Sequence, residues 1–284
     1  MKILVTGYNG QLGYDVVRQG KEKGLDMLGI GIQDLDITNE ADVYAYVEKV
    51  NPDAIIHCAA YTAVDKSEDD KEACWNVNVE GTKYLATAAK KVDAKFMYIS
   101  TDYVFDGKGE QAFVENDKPS PIGYYGVTKY EGEKVVQALL EKNFTVRISW
   151  VFGINGKNFI NTMLRLAETR VELNVVGDQI GSPTYTYDLA RLLIDMIVTE
   201  KYGIYHATNE GFCSWAEFAK EIFTLADKNV KVNGITTEEY PTRAVRPKNS
   251  RMSKQKLIDN GFEPLPAWQD AVKHYIQQLK QEVK

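Results

Sequence analysis

The stretch PIGYYGVTKYEGE, residues 121–133, begins a run in which two tyrosines are each followed four residues later by a lysine: Tyr125 by Lys129, and Tyr130 by Lys134. A phenol beside an ammonium group can exchange a proton with a substrate oxygen. The positive charge favours the phenolate and lowers a pKa that starts near ~10. Spacing alone selects neither pair, because a chain with 17 tyrosines contains about one such match by chance. The pairs are five residues apart, which is roughly 140° around a helix, so one cleft can use only one of them. The choice falls to the elements that position them.

The first half of the chain alternates short apolar runs with helical patterns. Strands are expected at Ile3–Thr6, Met27–Ile32, Ala54–His57, Phe96–Ser100 and Thr145–Ser149. Helices are expected at Gln11–Lys23, Glu40–Val50, Glu72–Lys91 and Tyr125–Lys142. Continuous apolar strands joined by helical crossovers predict a parallel sheet covered on both faces, and right-handed crossovers make it an α/β, doubly wound, Rossmann-like fold. Ligands then bind outside the carboxyl ends of the strands. Thr101, just past the fourth strand, would point its hydroxyl into that crevice. Tyr125 opens the following helix near the strand ends, whereas Tyr130 lies over one turn deeper, at about 1.5 Å per residue, so Tyr125 and Lys129 are the better placed pair. A hydroxyl, a tyrosine and a lysine so arranged are suited to carbonyl reduction, in which hydride moves to carbon as a proton moves to oxygen.

Gly7-Tyr-Asn-Gly-Gln-Leu-Gly13 directly follows the first strand and opens a helix. Glycines there permit a tight turn and close approach of a pyrophosphate to a helix N-terminus. The spacing is G-x-x-G-x-x-G rather than the commoner G-x-G-x-x-G. At the end of the second strand, Gly31-Ile-Gln-Asp-Leu-Asp-Ile-Thr38 offers no clear acid for a ribose diol and no base for a 2′-phosphate, which leaves NADH and NADPH both open. Asp36 and Ile37 stand where such folds flank the adenine; Asp36 as a cap of the next helix is an equal reading.

After Trp150 the alternation loosens. Helices are expected at Asn158–Glu168, Tyr187–Thr199, Trp215–Ala226, Ser253–Asn260 and Trp268–Lys280, with a Gly- and Pro-rich loop at Gly177–Thr184 and a strand at Gly203–Ala207. Residues 1–150 thus read as a dinucleotide-binding domain and 151–284 mainly as a smaller substrate-binding lobe, with return segments near 170–210.

The 284 residues are 44% hydrophobic and carry a net charge of −6 in interspersed acids and bases, the composition of an ordered globular chain without a footprint for nucleic acid or an anionic membrane. The opening apolar run is too short for a signal peptide and no stretch approaches ~18 apolar residues, so a cytoplasmic location is expected. Three scattered cysteines and three scattered histidines predict neither a disulfide framework nor a zinc site.

Gly7, Gly10, Gly13, Thr101, Tyr125 and Lys129 resemble, in that order, the extended short-chain dehydrogenase/reductases. Five further stretches, HCAAYTAVDKSE (57–68), STDYVFDG (100–107), RISWVFG (147–153), DQIGSPT (178–184) and RPKNS (246–250), resemble the dTDP-4-dehydrorhamnose reductase family, and the resemblance runs along essentially the whole chain. It implies reduction of the C4 keto group of dTDP-4-dehydro-6-deoxy-L-mannose to dTDP-L-rhamnose with NADPH or NADH. Thr101, Tyr125 and Lys129 would be catalytic. Gly7, Asn9, Gly10, Gln11, Leu12 and Gly13, with Asp36 and Ile37, would hold the cofactor, and Ala59, Ala60 and Tyr61 would line its nicotinamide side beside Tyr125 and Lys129. Asp102, Tyr103, Trp150 and Arg246 would touch the sugar nucleotide. Arg246 is also readable as a surface ion pair, and Trp150 as a filler of the seam between lobes. Sibling dehydratases carry Asp-Glu after the threonine; here Asp102 is followed by Tyr103, which removes the acid expected for elimination. Two other readings stand beside this one: an epimerase or reductase of another nucleotide 4-ketosugar, and a nucleotide-binding regulatory subunit like the β subunit of methionine adenosyltransferase. Some reductases of this kind are dimers bridged by magnesium through acids near the first helix. A homodimer is therefore one expected assembly, but Asp15, in a comparable place, reads as a solvated charge on an exposed helix, and no metal is expected.

Overall fold

The computed structural model describes residues 1–282. Its centre is a sheet of six parallel strands. The first five are β1 (Lys2–Thr6), β2 (Asp26–Ile30), β3 (Ala54–His57), β4 (Lys95–Thr101) and β5 (Asn143–Ile148), and a later strand, Gly203–His206, pairs along the free edge of β5. In space the order runs from that edge strand through β5, β4, β3 and β1 to β2. The chain leaves β1 for β2 on one side and resumes with β3 on the other, so the order reverses between β1 and β3, where a doubly wound sheet opens a crevice. All four residues of β3 are buried, as are the last six of β4, because helices cover both faces.

One face is covered by α1 (Gln11–Glu22), which buries Leu12, Val16 and Val17, and by a later helix, Thr186–Ile197, that contributes Leu189, Leu192 and Leu193 to the same core. The opposite face receives α2 (Glu40–Val50), whose N-cap is Asn39 and whose C-cap, Asn51, takes the left-handed conformation. Asp36 does not cap α2. Its carboxylate instead accepts from the backbone N–H and hydroxyl of Thr38 at 2.9 and 2.8 Å, a local turn.

The helix expected at Glu72–Lys91 is not continuous. It consists of α3 (Lys71–Trp75), a π-helical stretch at Asn76–Gly81 and α4 (Thr82–Lys91). The wider turn rotates Asn78 to a buried position under the loop after β3. Helix α5 (Tyr124–Leu139) then leads into β5. The second strand stops at Ile30, two residues short of expectation, and the helix expected at Ser253–Asn260 forms only over Gln255–Asp259.

A separate core fills the second half, where Phe152, Tyr185, Phe218 and Tyr275 meet with centroid separations of 5.0 to 5.9 Å. Helix Trp215–Leu225 enters it through a Ser214/Glu217 capping box. Short strands punctuate this half: Glu172–Val176 pairs in parallel with Lys231–Ile235, and the loop expected at Gly177–Thr184 contains Ile180–Gly181 and part of Thr184–Tyr185. Leu257, Phe262 and Leu265 pack back against the central sheet.

Candidate active site

A cleft of about 760 Å³ opens above the carboxyl ends of the strands, over the reversal in strand order. All the residues expected to hold the cofactor line it: Gly7, Asn9, Gly10, Gln11, Leu12 and Gly13, Asp36 and Ile37, Ala59, Ala60 and Tyr61, with Tyr125 and Lys129. So do Thr101, Asp102, Tyr103 and Trp150. Tyr130 and Lys134 do not; the Lys134 ammonium pairs with Glu131 and lies 5.2 Å from the Tyr130 ring centroid.

The glycine loop is drawn tightly onto the sheet. Gly7 has φ +71°, and a Cβ there would stand 2.7 Å from the backbone nitrogen of Ala59. A Cβ at Gly13 would collide with the carbonyl oxygen of Gly7. The Asn155 amide donates to the Asn9 and Gly10 carbonyls at 3.1 and 3.4 Å, while the first N–H groups of α1 receive no side-chain cap. Bare backbone donors at a helix N-terminus are what a dinucleotide pyrophosphate requires, so these residues fit the group. Gln11 bridges outward, its carbonyl accepting from the Gly153 N–H at 2.8 Å and the Asn158 amide at 3.1 Å.

Tyr125 lies in the first turn of α5, and Lys129 is one turn deeper and 2% exposed. The Lys129 ammonium stands 4.1 Å from the ring centroid of Tyr98. Burial pushes the Lys129 ammonium down to about 7, against the opposing pull of Glu133. Burial, followed by the charge of Asp102, pushes the Tyr125 phenol above its ordinary value, while hydrogen bonding to Thr101 opposes the rise. In the protein alone, desolvation of the phenolate is the largest influence on this phenol. Thr101 donates to the Asp102 carboxylate at 3.0 Å and accepts from the Tyr103 N–H at 3.2 Å, which caps the 3-10 turn Asp102–Val104.

Asn78, which no sequence pattern marks, joins the walls of the cleft. Its carbonyl accepts from the Tyr61 N–H at 2.8 Å, and its amide donates to the Thr128 hydroxyl at 3.0 Å, which in turn donates to the Tyr125 carbonyl at 2.9 Å. A second chain runs through His57, held neutral because burial lowers its pKa to about 3. The Thr82 hydroxyl donates to the Asn78 backbone carbonyl and so accepts from the His57 Nε2, leaving Nδ1 to accept from the Thr6 hydroxyl at 2.7 Å. The Ala59 N–H donates to Thr6 at 3.2 Å.

On the opposite wall, Asp102 is buried and accepts from the Ser250 hydroxyl; burial raises its pKa to about 6. The ring of Tyr103 meets that of Tyr125 edge-on at 5.5 Å. Arg246 stands behind Tyr103 rather than in the cleft lining, donating to the Tyr103 hydroxyl at 3.0 Å and to Asp65 at 2.6 Å. It is thus both an ion pair and a neighbour of the cleft wall. Trp150 adopts a left-handed backbone, φ +49°, rare for a bulky side chain, and stacks on Trp215 at 3.7 Å while still lining the cleft. The stack on Trp215 matches the reading of Trp150 as a filler between lobes.

Asp15 is not a solvated charge. It is 1% exposed, accepts from the Thr186 hydroxyl and the Arg18 guanidinium, and docks α1 onto helix Thr186–Ile197. Among the described residues, no group of three or more His, Cys, Asp or Glu side chains could hold a metal ion, and no helix is long and apolar enough to cross a membrane.

A protein that can receive a dinucleotide over the switch point and present a phenol beside it belongs to the nicotinamide-dependent oxidoreductases. The RmlD substrate binding domain model matches residues 1–281, and the chain belongs to that family. The dTDP-4-dehydrorhamnose reductase of Aggregatibacter actinomycetemcomitans is 42% identical over 287 residues, spanning 96% of this chain and 97% of the relative. Among solved structures, a dTDP-4-dehydrorhamnose reductase from Clostridium acetobutylicum superposes with a TM-score of 0.96 at 44% identity, covering 99% of this chain and 100% of that one. That of Bacillus anthracis, in complex with NADP, gives 0.95 at 42% identity, covering 98% and 100%.

Proposed function

We propose that the protein reduces the C4 keto group of dTDP-4-dehydro-6-deoxy-L-mannose to give dTDP-L-rhamnose, with NADPH or NADH as reductant. The observation that carries the reading is the meeting of Thr101, Tyr125 and Lys129 in one cleft with the glycine loop, in a chain similar over nearly its full length to reductases of that name. When bound, the reduced nicotinamide supplies hydride to the carbonyl carbon. Tyr125 gives its phenolic proton to the carbonyl oxygen. Thr101, turning its hydroxyl away from Asp102, hydrogen-bonds that oxygen or the phenol, and the Lys129 charge favours loss of the proton. A phenol that stays protonated in the protein alone is poised as an acid for this direction. Ala59, Ala60 and Tyr61 form the wall against the nicotinamide; Asp102, Tyr103, Trp150 and Arg246 serve the sugar nucleotide, Arg246 as the guanidinium fork suited to a diphosphate. Residues 1–150 carry the cofactor and 151–284 mainly the nucleotide sugar. No glutamate follows Asp102, so elimination lacks its acid.

Tyr125→Phe tests the assignment. Turnover is expected to fall by about 10²–10⁴-fold with cofactor binding retained. Wild-type turnover in that variant would refute the role of the phenol.

A further inference from the structure

Behind the cleft, Glu133 and Arg147 form an ion pair whose side chains are 0% and 2% exposed. Glu133 lies on α5 one turn beyond Lys129, and Arg147 on β5. The guanidinium grips the carboxylate in both directions, Nε to Oε1 at 2.9 Å and Nη2 to Oε2 at 2.8 Å, and the Ser100 hydroxyl from β4 donates to Oε1 at 2.5 Å. The Arg147 Nη1 reaches the Glu115 carbonyl and His206, each at 3.4 Å. Fully desolvated pairs are seldom the cheapest way to stabilise a fold; apolar residues of similar volume serve as well or better. A position so expensive to occupy invites a functional account.

Lys129 supplies one. It is buried, and the groups that face it are His57 and Cys58 at the end of β3, Cys74 on α3, the ring of Tyr98 on β4, and Tyr125 and Glu133 on its own helix. His57 is neutral, since burial lowers it to about 3; burial pushes the Cys58 thiol up to about 12 and also raises Cys74 and Tyr98. Glu133, forked to the Arg147 guanidinium, is the one carboxylate among these groups.

We propose that Glu133 is the positioning residue for the charge at this site: its carboxylate, fixed by Arg147 and Ser100, keeps Lys129 cationic inside the protein so that Tyr125 can release its proton. The inference rests on the role proposed above for Lys129. Glu133 touches neither cleft nor substrate and acts through Lys129 alone. The ion pair locks the distance between them, because α5 cannot slide along the sheet without breaking the fork to β5. Burial pulls the ammonium toward neutrality, and Glu133 is the largest opposing influence.

The test is the pH profile of kcat for the wild type, Glu133→Gln, Glu133→Asp and the double variant Glu133→Gln/Arg147→Met, each with cofactor affinity measured alongside. Loss of the carboxylate lets Lys129 shed its proton at lower pH, so the alkaline limb is expected to move down by about one unit in Glu133→Gln. It should move less in the double variant, which removes both charges, and return toward the wild-type position in Glu133→Asp. Should Glu133→Gln fail to fold around an unpaired arginine, the double variant carries the test. Variants that fold and bind cofactor with the alkaline limb unmoved would reduce Glu133 to a structural strut and overturn the proposal. Lys129→Met separates the underlying reading: full turnover in that variant would refute the role of Lys129 itself, whatever Glu133 does.

Discussion

Asp102 is the residue on which the chemistry and the stability of the fold pull against each other. Burial raises its carboxyl from 3.8 to about 6, despite hydrogen bonds from Ser250 and Thr101. A raised acid favours the folded state in its protonated form, so that contribution is complete below pH ~3.8 and is lost as pH rises through about 6. At pH 7.5 the ionised carboxylate therefore destabilises the fold by up to about 3 kcal/mol. Asp102→Asn is expected to unfold at a higher temperature than the wild type at pH 7.5, with the advantage gone at pH 4. Thermal melts at the two pH values measure it; an equal difference at both would contradict the assignment. The same residue shows the limit of reading charges from spacing. Tyr125 and Lys129 are legible as a pair because helical periodicity places them, but the sign of the shift on the phenol depends on Asp102 and on burial, neither of which a four-residue interval encodes.

At the scale of elements, the π-helical turn at Asn76–Gly81 positions the wall beside Tyr61. Asn78→Ala removes the acceptor of the Tyr61 N–H and the donor to Thr128. An unsatisfied buried group costs about 1–3 kcal/mol, and kcat is expected to fall at least tenfold as the loop after β3 drifts from α5. Unchanged kcat with unchanged stability would show that Asn78 only fills space. The apolar strands and the glycine loop were legible because each has a local signature of period, length or φ. Asn78 was not: a single wide turn leaves the composition of a helix intact. The strands Ile180–Gly181 and Thr184–Tyr185 are two residues long, too short for any alternation, and Glu172–Val176 finds its partner at Lys231–Ile235, a pairing visible only once the chain has folded back.

Across the whole molecule, a chain of net charge −6 must hold a dianionic diphosphate with local cations. Arg246 is partly sheltered and shared between Tyr103 and Asp65, whereas Arg243 pairs with Asp69 in the open, both side chains 60% or more exposed. Exposed pairs contribute little. Arg246→Ala is expected to raise KM for the nucleotide sugar by about tenfold or more with a smaller change in kcat, and Arg243→Ala to leave both within about twofold; steady-state kinetics of the two variants measures the contrast, and equal effects would contradict it. The partners of Arg246 were not legible, because Asp65 lies 181 positions away in the chain. The family resemblance supplied what spacing could not, since it rests on five stretches drawn from both halves of the molecule.

The most direct measurement of the central claim is isotope transfer. Purified protein would be given nicotinamide reductant deuterated at the transferring position, NADPH and then NADH, together with dTDP-4-dehydro-6-deoxy-L-mannose generated in the same tube. The account predicts dTDP-L-rhamnose with one deuterium at C4 for each reductant oxidised. Nucleotide sugar recovered without deuterium and without net oxidation of the cofactor would contradict it.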